Sequence, residues 1–210
     1  MVDEKRPRRR RVNGEASRLK ILDATAEVAA ERGYEGTSIA LVSKKCGLPA
    51  SSIYWHFEDK DALVAAVIER SFEAWLSAWS IPNGGTARER IREMLTQIAK
   101  ALLDSPDFLR LGLMLALERR PTEARARTMF LAVRDDAARR VDHALREFAP
   151  GISDAAAKLL TTYAIAGADG LFIAKEIEGD CVDLLELFDL HAHMLFDAVM
   201  RLSGQESGEL

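Results

Sequence analysis

The sequence predicts an all-α protein of about nine helices, and three observations lead to that class. Alanine, the best helix former, supplies 32 of the 210 residues, against 13 glycines and 6 prolines. The prolines (Pro7, Pro49, Pro82, Pro106, Pro121 and Pro150) fall at joints, and between them apolar residues recur every three to four positions. No segment alternates as a half-buried strand does. Hydrophobic residues make up 48% and charged residues 30%, a balance that excludes intrinsic disorder. Two cysteines, Cys46 and Cys181, exclude a disulfide scaffold and a four-cysteine zinc site. No apolar run approaches the ~18 residues of a membrane helix. The early arginines precede a mostly polar stretch, so no secretory signal is expected and the cytoplasm is the default.

Each element has its own punctuation. Leu19, Ile21, Leu22, Thr25, Ala26, Val28 and Ala29 stripe the first helix, with Ser17 as its expected N-cap and Gly33 past its end. Thr37 or Ser38 caps a short second helix that stops at Gly47, and Pro49 opens a third that ends near Phe57. A fourth runs from about Asp59 to about Ser80, before the loop Asn83-Gly84-Gly85. Thr86–Leu103 reads as the fifth, and Ser105-Pro106 opens a sixth that ends before Pro121. Thr122–Phe148 is the seventh, broken by Pro150-Gly151. Ser153 caps the eighth, which reaches Glu178, and Asp183–Leu202 is the ninth.

The net charge of −4 hides an asymmetry. Residues 1–60 hold 12 basic and 9 acidic side chains, whereas residues 151–210 hold 3 and 11. Lys5 to Arg11 carries six cations and no acid. Such a division suits a polyanion-binding end and a solubilising end; a solvated tail is the plainer reading of the same run.

Two short helices meeting at Cys46-Gly47-Leu48 form a helix-turn-helix pattern, whose second helix enters the DNA major groove. Ala50, Ser51 and Ser52 are small enough for close approach, with hydroxyls for base or phosphate. Tyr54, Trp55 and His56 add apolar bodies with polar tips, and Lys60 opens the next helix. A pair of packing helices with a polar edge is the alternative.

Gly33-Tyr34-Glu35-Gly36-Thr37-Ser38, Cys46-Gly47-Leu48, Ser52-Ile53-Tyr54-Trp55-His56-Phe57 and Lys60-Asp61-Ala62-Leu63 together resemble the N-terminal domain of TetR-family transcriptional regulators. Ala168-Asp169-Gly170-Leu171 is similar to a segment often found in the eighth helix of that family. The resemblance implies a basic, disordered arm over 1–14, a three-helix DNA-binding domain over 15–75, a helical ligand-binding and dimerisation domain over 76–203 and a polar tail over 204–210. It implies a homodimeric repressor that binds a palindromic operator and leaves it when a small molecule binds. Thr37 and Ser38 match phosphate-contacting positions, Ser51 and Ser52 the start of the recognition helix, and Tyr54, His56 and Lys60 backbone contacts. Ala50, Lys45 and Trp55 complete the expected DNA-facing set. Pro49 replaces a common serine, Lys45 and Cys46 stand where small apolar residues are usual, and Trp55 is larger than many residues found there. Arg8, Arg9, Arg10 and Arg11 resemble the arms that some members lay in the minor groove.

The remaining candidates divide between core and function. Phe72, Trp75 and Trp79 form one stripe, read either as core or as the wall of a pocket for an apolar or aromatic ligand. Met94, Ile98, Phe108, Met114, Met129, Phe130, Tyr163 and Phe172 are candidates for the same cavity. Leu159, Tyr163, Gly167 and Gly170 on the eighth helix, with Leu184, Leu187, Phe188, His191 and Leu195 on the ninth, draw apolar faces that suit a four-helix dimer interface. Cys181, His191 and His193 are the residues of a rival reading, an all-α metal-dependent enzyme. Histidines two apart on a helix point about 200° apart, which opposes shared chelation. No Gly-rich phosphate loop or serine elbow appears, so neither cofactor nor catalysis is expected.

Overall fold

The computed structural model describes residues 6–117 and 124–204, with side chains from residue 14 onward. Among them it holds nine α-helices and one short 3-10 turn, with no strand. The chain divides into two compact units: Met1–Phe72 with Asp107–Leu131, and Glu73–Pro106 with Ala132–Leu210. Residues 107–131, expected within the C-terminal domain, therefore group with the N-terminal helices.

In the first unit, α1 spans Arg6–Gly36 and packs on α2 (Ile39–Cys46), α3 (Ala50–His56) and α6 (Asp107–Leu117). Helix α1 begins well before Ser17, over much of the segment expected to be a disordered arm. Pro7 suits its first turn, where an N–H has no helical partner anyway, and the arginines that follow are good helix formers. At Gly33 the backbone turns to φ 68°, ψ −179°, which ends regular helix where the glycine was expected to end it. The inward face of α1 buries Ile21, Leu22, Val28 and Ala29; the buried Thr25 hydroxyl donates to the Ile21 carbonyl at 2.7 Å. Helix α4 (Lys60–Ser77) adds Leu63, Val64 and Ile68 to this core. Ser71 accepts the Phe108 N–H at 3.1 Å, fixing the start of α6.

In the second unit, α5 (Ala87–Asp104) packs along α9 (Leu184–Ser203), and α9 along α8 (Asp154–Glu178). A reciprocal capping box between Thr86 and Glu89 starts α5. Ser153 caps α8, and the Asp183 carboxylate accepts from Leu185 and Glu186 to cap α9. Ile91, Met94, Leu95 and Ile98 of α5 are buried, as are Leu184, Phe188, Leu195 and Val199 of α9. Arg134 on α7 (Arg125–Phe148) makes a two-pronged pair with Asp169 on α8, at 2.8 and 2.6 Å. That pairing gives Asp169 a structural role in the Ala168–Leu171 segment.

Helix α4 ends at Ser77, three residues short of the expected Ser80. The Ser77 hydroxyl donates to Ala74 O, and Ala78 N bonds Trp75 O in a tightened last turn. Trp79 consequently lies beyond the helix, folded edge-on against Trp75 with ring centroids 5.3 Å apart.

Candidate nucleic-acid interface

The turn between α2 and α3 is built by local hydrogen bonds. Ser38 Oγ accepts from Leu41 N at 3.3 Å, and Gly47, at φ 67°, donates its N–H to Ser43 O. A side chain at Gly47 would strain this left-handed turn. Ser43 Oγ donates to Leu48 O at 2.7 Å and closes the corner. Ile53 and Phe57 face inward, which turns Ser51, Tyr54 and Trp55 outward; Tyr54 is 57% and Trp55 75% exposed. Two large aromatics thus stand largely in solvent on this helix, Trp55 edge-on to the His56 ring with centroids 4.5 Å apart. Ala50, Ser52 and His56 flank them, half-buried.

Gly14, Ser17, Ser51, Ser52, Trp55 and His56 line an open cleft of about 390 Å³ beside this face. The extended α1 thus runs past the recognition helix, with Gly14 against the Trp55 ring. Partial burial, then the nearby Arg18 cation, hold the His56 imidazole below its usual pKa, so its neutral form is favoured.

Four expected contact residues already have partners within their own unit. Thr37 is buried, and its hydroxyl donates to Gly33 O at 2.7 Å, which removes it from the DNA-facing surface. Lys45 pairs with Glu27 at 2.7 Å and Glu31 at 3.4 Å, one turn apart on α1; hydrogen bonding to Glu27 and the two charges raise its pKa. Ser38 uses its oxygen as a helix cap. Lys60 Nζ lies at 4.2 Å from the Tyr34 ring centroid and donates to Tyr34 O at 3.2 Å, with Glu35 at 3.5 Å. The side chains of Arg8, Arg9, Arg10 and Arg11 lie outside those described. Two cations escaped the sequence reading. Lys44 is exposed on α2, and no ion pair or hydrogen bond engages it among the described residues. Arg18 stacks over Phe57 at 5.4 Å.

The ten candidate ligand residues do not share one unit. Phe108, Met114, Met129 and Phe130 belong to the first, and Trp75, Trp79, Met94, Ile98, Tyr163 and Phe172 to the second. Phe130 is wholly buried over Gly112, where an added Cβ would meet its ring at 1.9 Å, so it is a core plug. Trp75, Met94, Ile98, Phe108 and Phe172 are also buried, Met129 is half-buried, and Met114 and Tyr163 are largely exposed.

The dimer candidates divide as well. Leu184, Phe188, His191 and Leu195 lie inside the second unit, because they form the face of α9 turned toward its own helices. Gly167 accommodates the His191 ring, which would lie 2.3 Å from a Cβ there. Leu159, Tyr163 and Gly170 face outward, and Leu187 is half-buried. His191 bonds Ala164 O at 3.1 Å, whereas His193 faces Asp189 at 3.8 Å and Cys181 is exposed. No trio of His, Cys, Asp or Glu among the described residues is placed to hold a metal.

Residues 21–67 match the profile described as bacterial regulatory proteins, tetR family. An HTH-type transcriptional repressor of Mycobacterium tuberculosis is 29% identical over 99 residues, covering 47% of this chain and 38% of its own length. The HTH-type transcriptional repressor KstR of Rhodococcus jostii is 32% identical over 89 residues, 42% of each chain. The match thus spans about two fifths of these relatives. Across the whole fold, a putative transcriptional regulator of Pseudomonas aeruginosa superposes with a TM-score of 0.71 at 22% identity, covering 90% of this chain and 94% of its own. FadR of Bacillus subtilis, solved with stearoyl-CoA, gives 0.68 at 19%, covering 86% and 98%. No described helix is long and apolar enough to cross a membrane. Residues 21–67 thus form a helix-turn-helix domain of the tetR type of bacterial regulatory proteins.

Proposed function

We propose that this protein is a cytoplasmic transcriptional repressor that binds a palindromic operator as a homodimer and is released by a small molecule. The observation that carries the reading is the outward face of α3, where Ser51, Tyr54 and Trp55 stand exposed on a rigidly capped helix-turn-helix. Ser51 and Ser52 are the base-reading candidates; Tyr54, His56 and Lys60 hold the phosphate backbone. The names of the relatives support repression, and the FadR complex supports a role for a ligand.

An exposed apolar seam supports the dimer. On α8, Leu159, Tyr163, Gly170, Ile173 and Ile177 recur at helical spacing on the solvent side, and α9 adds Leu190 and Met194. Paired across a two-fold axis, two chains suit a palindromic operator, whose half-sites lie roughly 34–36 Å apart, or farther for longer operators. A ligand that favours another spacing then shifts the population away from the DNA-bound form.

Selection from random duplex DNA, followed by gel-shift titration, tests the reading. The expected product is an inverted repeat bound by two chains. Enrichment of no sequence above the starting pool would refute it.

A further inference from the structure

A second open cleft, also of about 390 Å³, lies within the second unit. Trp79, Ser80 and Ile81, from the segment after α4, form one wall, and Asp136, Arg139, Arg140 and His143 of α7 form the other. The charges there are unequally matched. Arg139 is held by Asp135 and Asp136 through short contacts, and His143 faces Glu147 at 3.4 Å. Arg140 has no carboxylate among the described residues; its guanidinium lies over the Trp79 ring, 5.9 Å from the centroid. Exposed arginines without a partner are common. This one differs in standing against an apolar wall, where water competes less for the guanidinium. Trp79 is 4% exposed, and its indole Nε1 is buried with no hydrogen-bond partner in the structure.

We propose that this cleft binds a small organic anion, an apolar or aromatic body bearing a carboxylate, with Arg140 as its anchor. A planar guanidinium matches a carboxylate with two parallel hydrogen bonds, and the indole and Ile81 offer the apolar body a dry surface. The volume suits a small ligand. As the effector site, the cleft deepens the ligand-responsive reading and rests on it; as a binding site, it stands on the geometry alone.

The test uses the full chain without DNA, titrated calorimetrically with 2-naphthoate and with its neutral counterpart 2-naphthamide. The acid is expected to bind about tenfold more tightly than the amide. Arg140→Gln should erase that preference and leave amide binding unchanged, and Arg140→Lys should restore part of it. Thermal melts of both variants are expected to match the wild type, because Arg140 is exposed and engages only the Trp79 ring. No saturable binding of 2-naphthoate, or equal preference in wild type and Arg140→Gln, overturns the proposal. Adding 2-naphthoate to the operator complex separates the two readings. Binding at Arg140 without release keeps the site and removes its effector role.

Discussion

Lys44 and Lys45 are neighbours in sequence and differ in what their charges face. Successive helix positions are about 100° apart, which turns Lys45 toward Glu27 and Glu31 and leaves Lys44 in solvent. Lys44→Ala is expected to weaken operator binding similarly across sequences and to lower the salt slope by about one unit. Lys45→Ala should leave that slope nearly unchanged; equal effects from the two variants in salt-dependent titrations would contradict the assignment. Which of these lysines is free is not legible in the sequence, because it depends on acids fourteen and eighteen residues before Lys45 on another helix. His191 carries a second residue-scale prediction. Burial lowers its pKa below 6.5, and the hydrogen bond to Ala164 O opposes this only in part. The unfolded chain therefore binds this proton more readily than the folded one. Its penalty to stability is absent well above 6.5 and grows as pH falls through 6.5 toward the lower folded value. His191→Gln should accordingly lose less stability than wild type between neutral and mildly acidic pH, read from urea melts. An identical pH dependence would show that His191 does not contribute to it.

At the scale of elements, the helices were legible wherever a cap marked their ends. Ser38, Gly47, Thr86, Ser153 and Asp183 all stand at or beside the observed boundaries. The misses lie where the residue expected to mark an end does not. Helix α1 continues toward its N-terminus through Ser17, its expected N-cap, to Arg6, and α4 stops at Ser77 because side-chain and backbone bonds tighten its last turn. Thr122, the expected start of α7, lies outside the described residues; the first turn observed, from Arg125, is capped from another helix. Asp61 on α4 accepts from Arg125 N at 2.5 Å and Ala126 N at 3.2 Å, and from the Tyr34 hydroxyl at 3.0 Å. Arg125 in turn reaches Glu58 at 3.2 Å. A sequence pattern cannot show a cap supplied 64 residues away. Asp61→Ala leaves three donors without this acceptor and should cost about 1–3 kcal/mol in urea melts. Asp61→Asn keeps an acceptor oxygen and should cost less; equal losses would mean that the capping oxygen is not the source.

At the scale of the whole molecule, the proposed dimer rests on the exposed seam of α8 and α9. Periodicity identified apolar faces on both helices but could not say which positions the subunit uses for itself. The structure divides them: Leu184, Phe188 and Leu195 are at most 2% exposed, whereas Leu159, Ile177 and Leu190 are 58% or more exposed. Apolar side chains aligned in solvent along one helix usually mark an association surface. Charge insertion therefore has opposite meanings at the two sets. Leu195→Glu buries an unpaired carboxylate and should unfold the subunit, which reveals nothing about assembly. Ile177→Glu and Tyr163→Glu place the charge on the exposed face, so the subunit should keep its helical circular dichroism and its melting temperature within a few degrees. Both should sediment as monomers at concentrations where the wild type is dimeric. Operator affinity should then fall steeply, because one half-site contact replaces two. Wild-type protein that sediments as a monomer while retaining full operator affinity would overturn the dimer reading. Variants that stay dimeric with glutamate at both positions would move the interface away from the exposed face of α8.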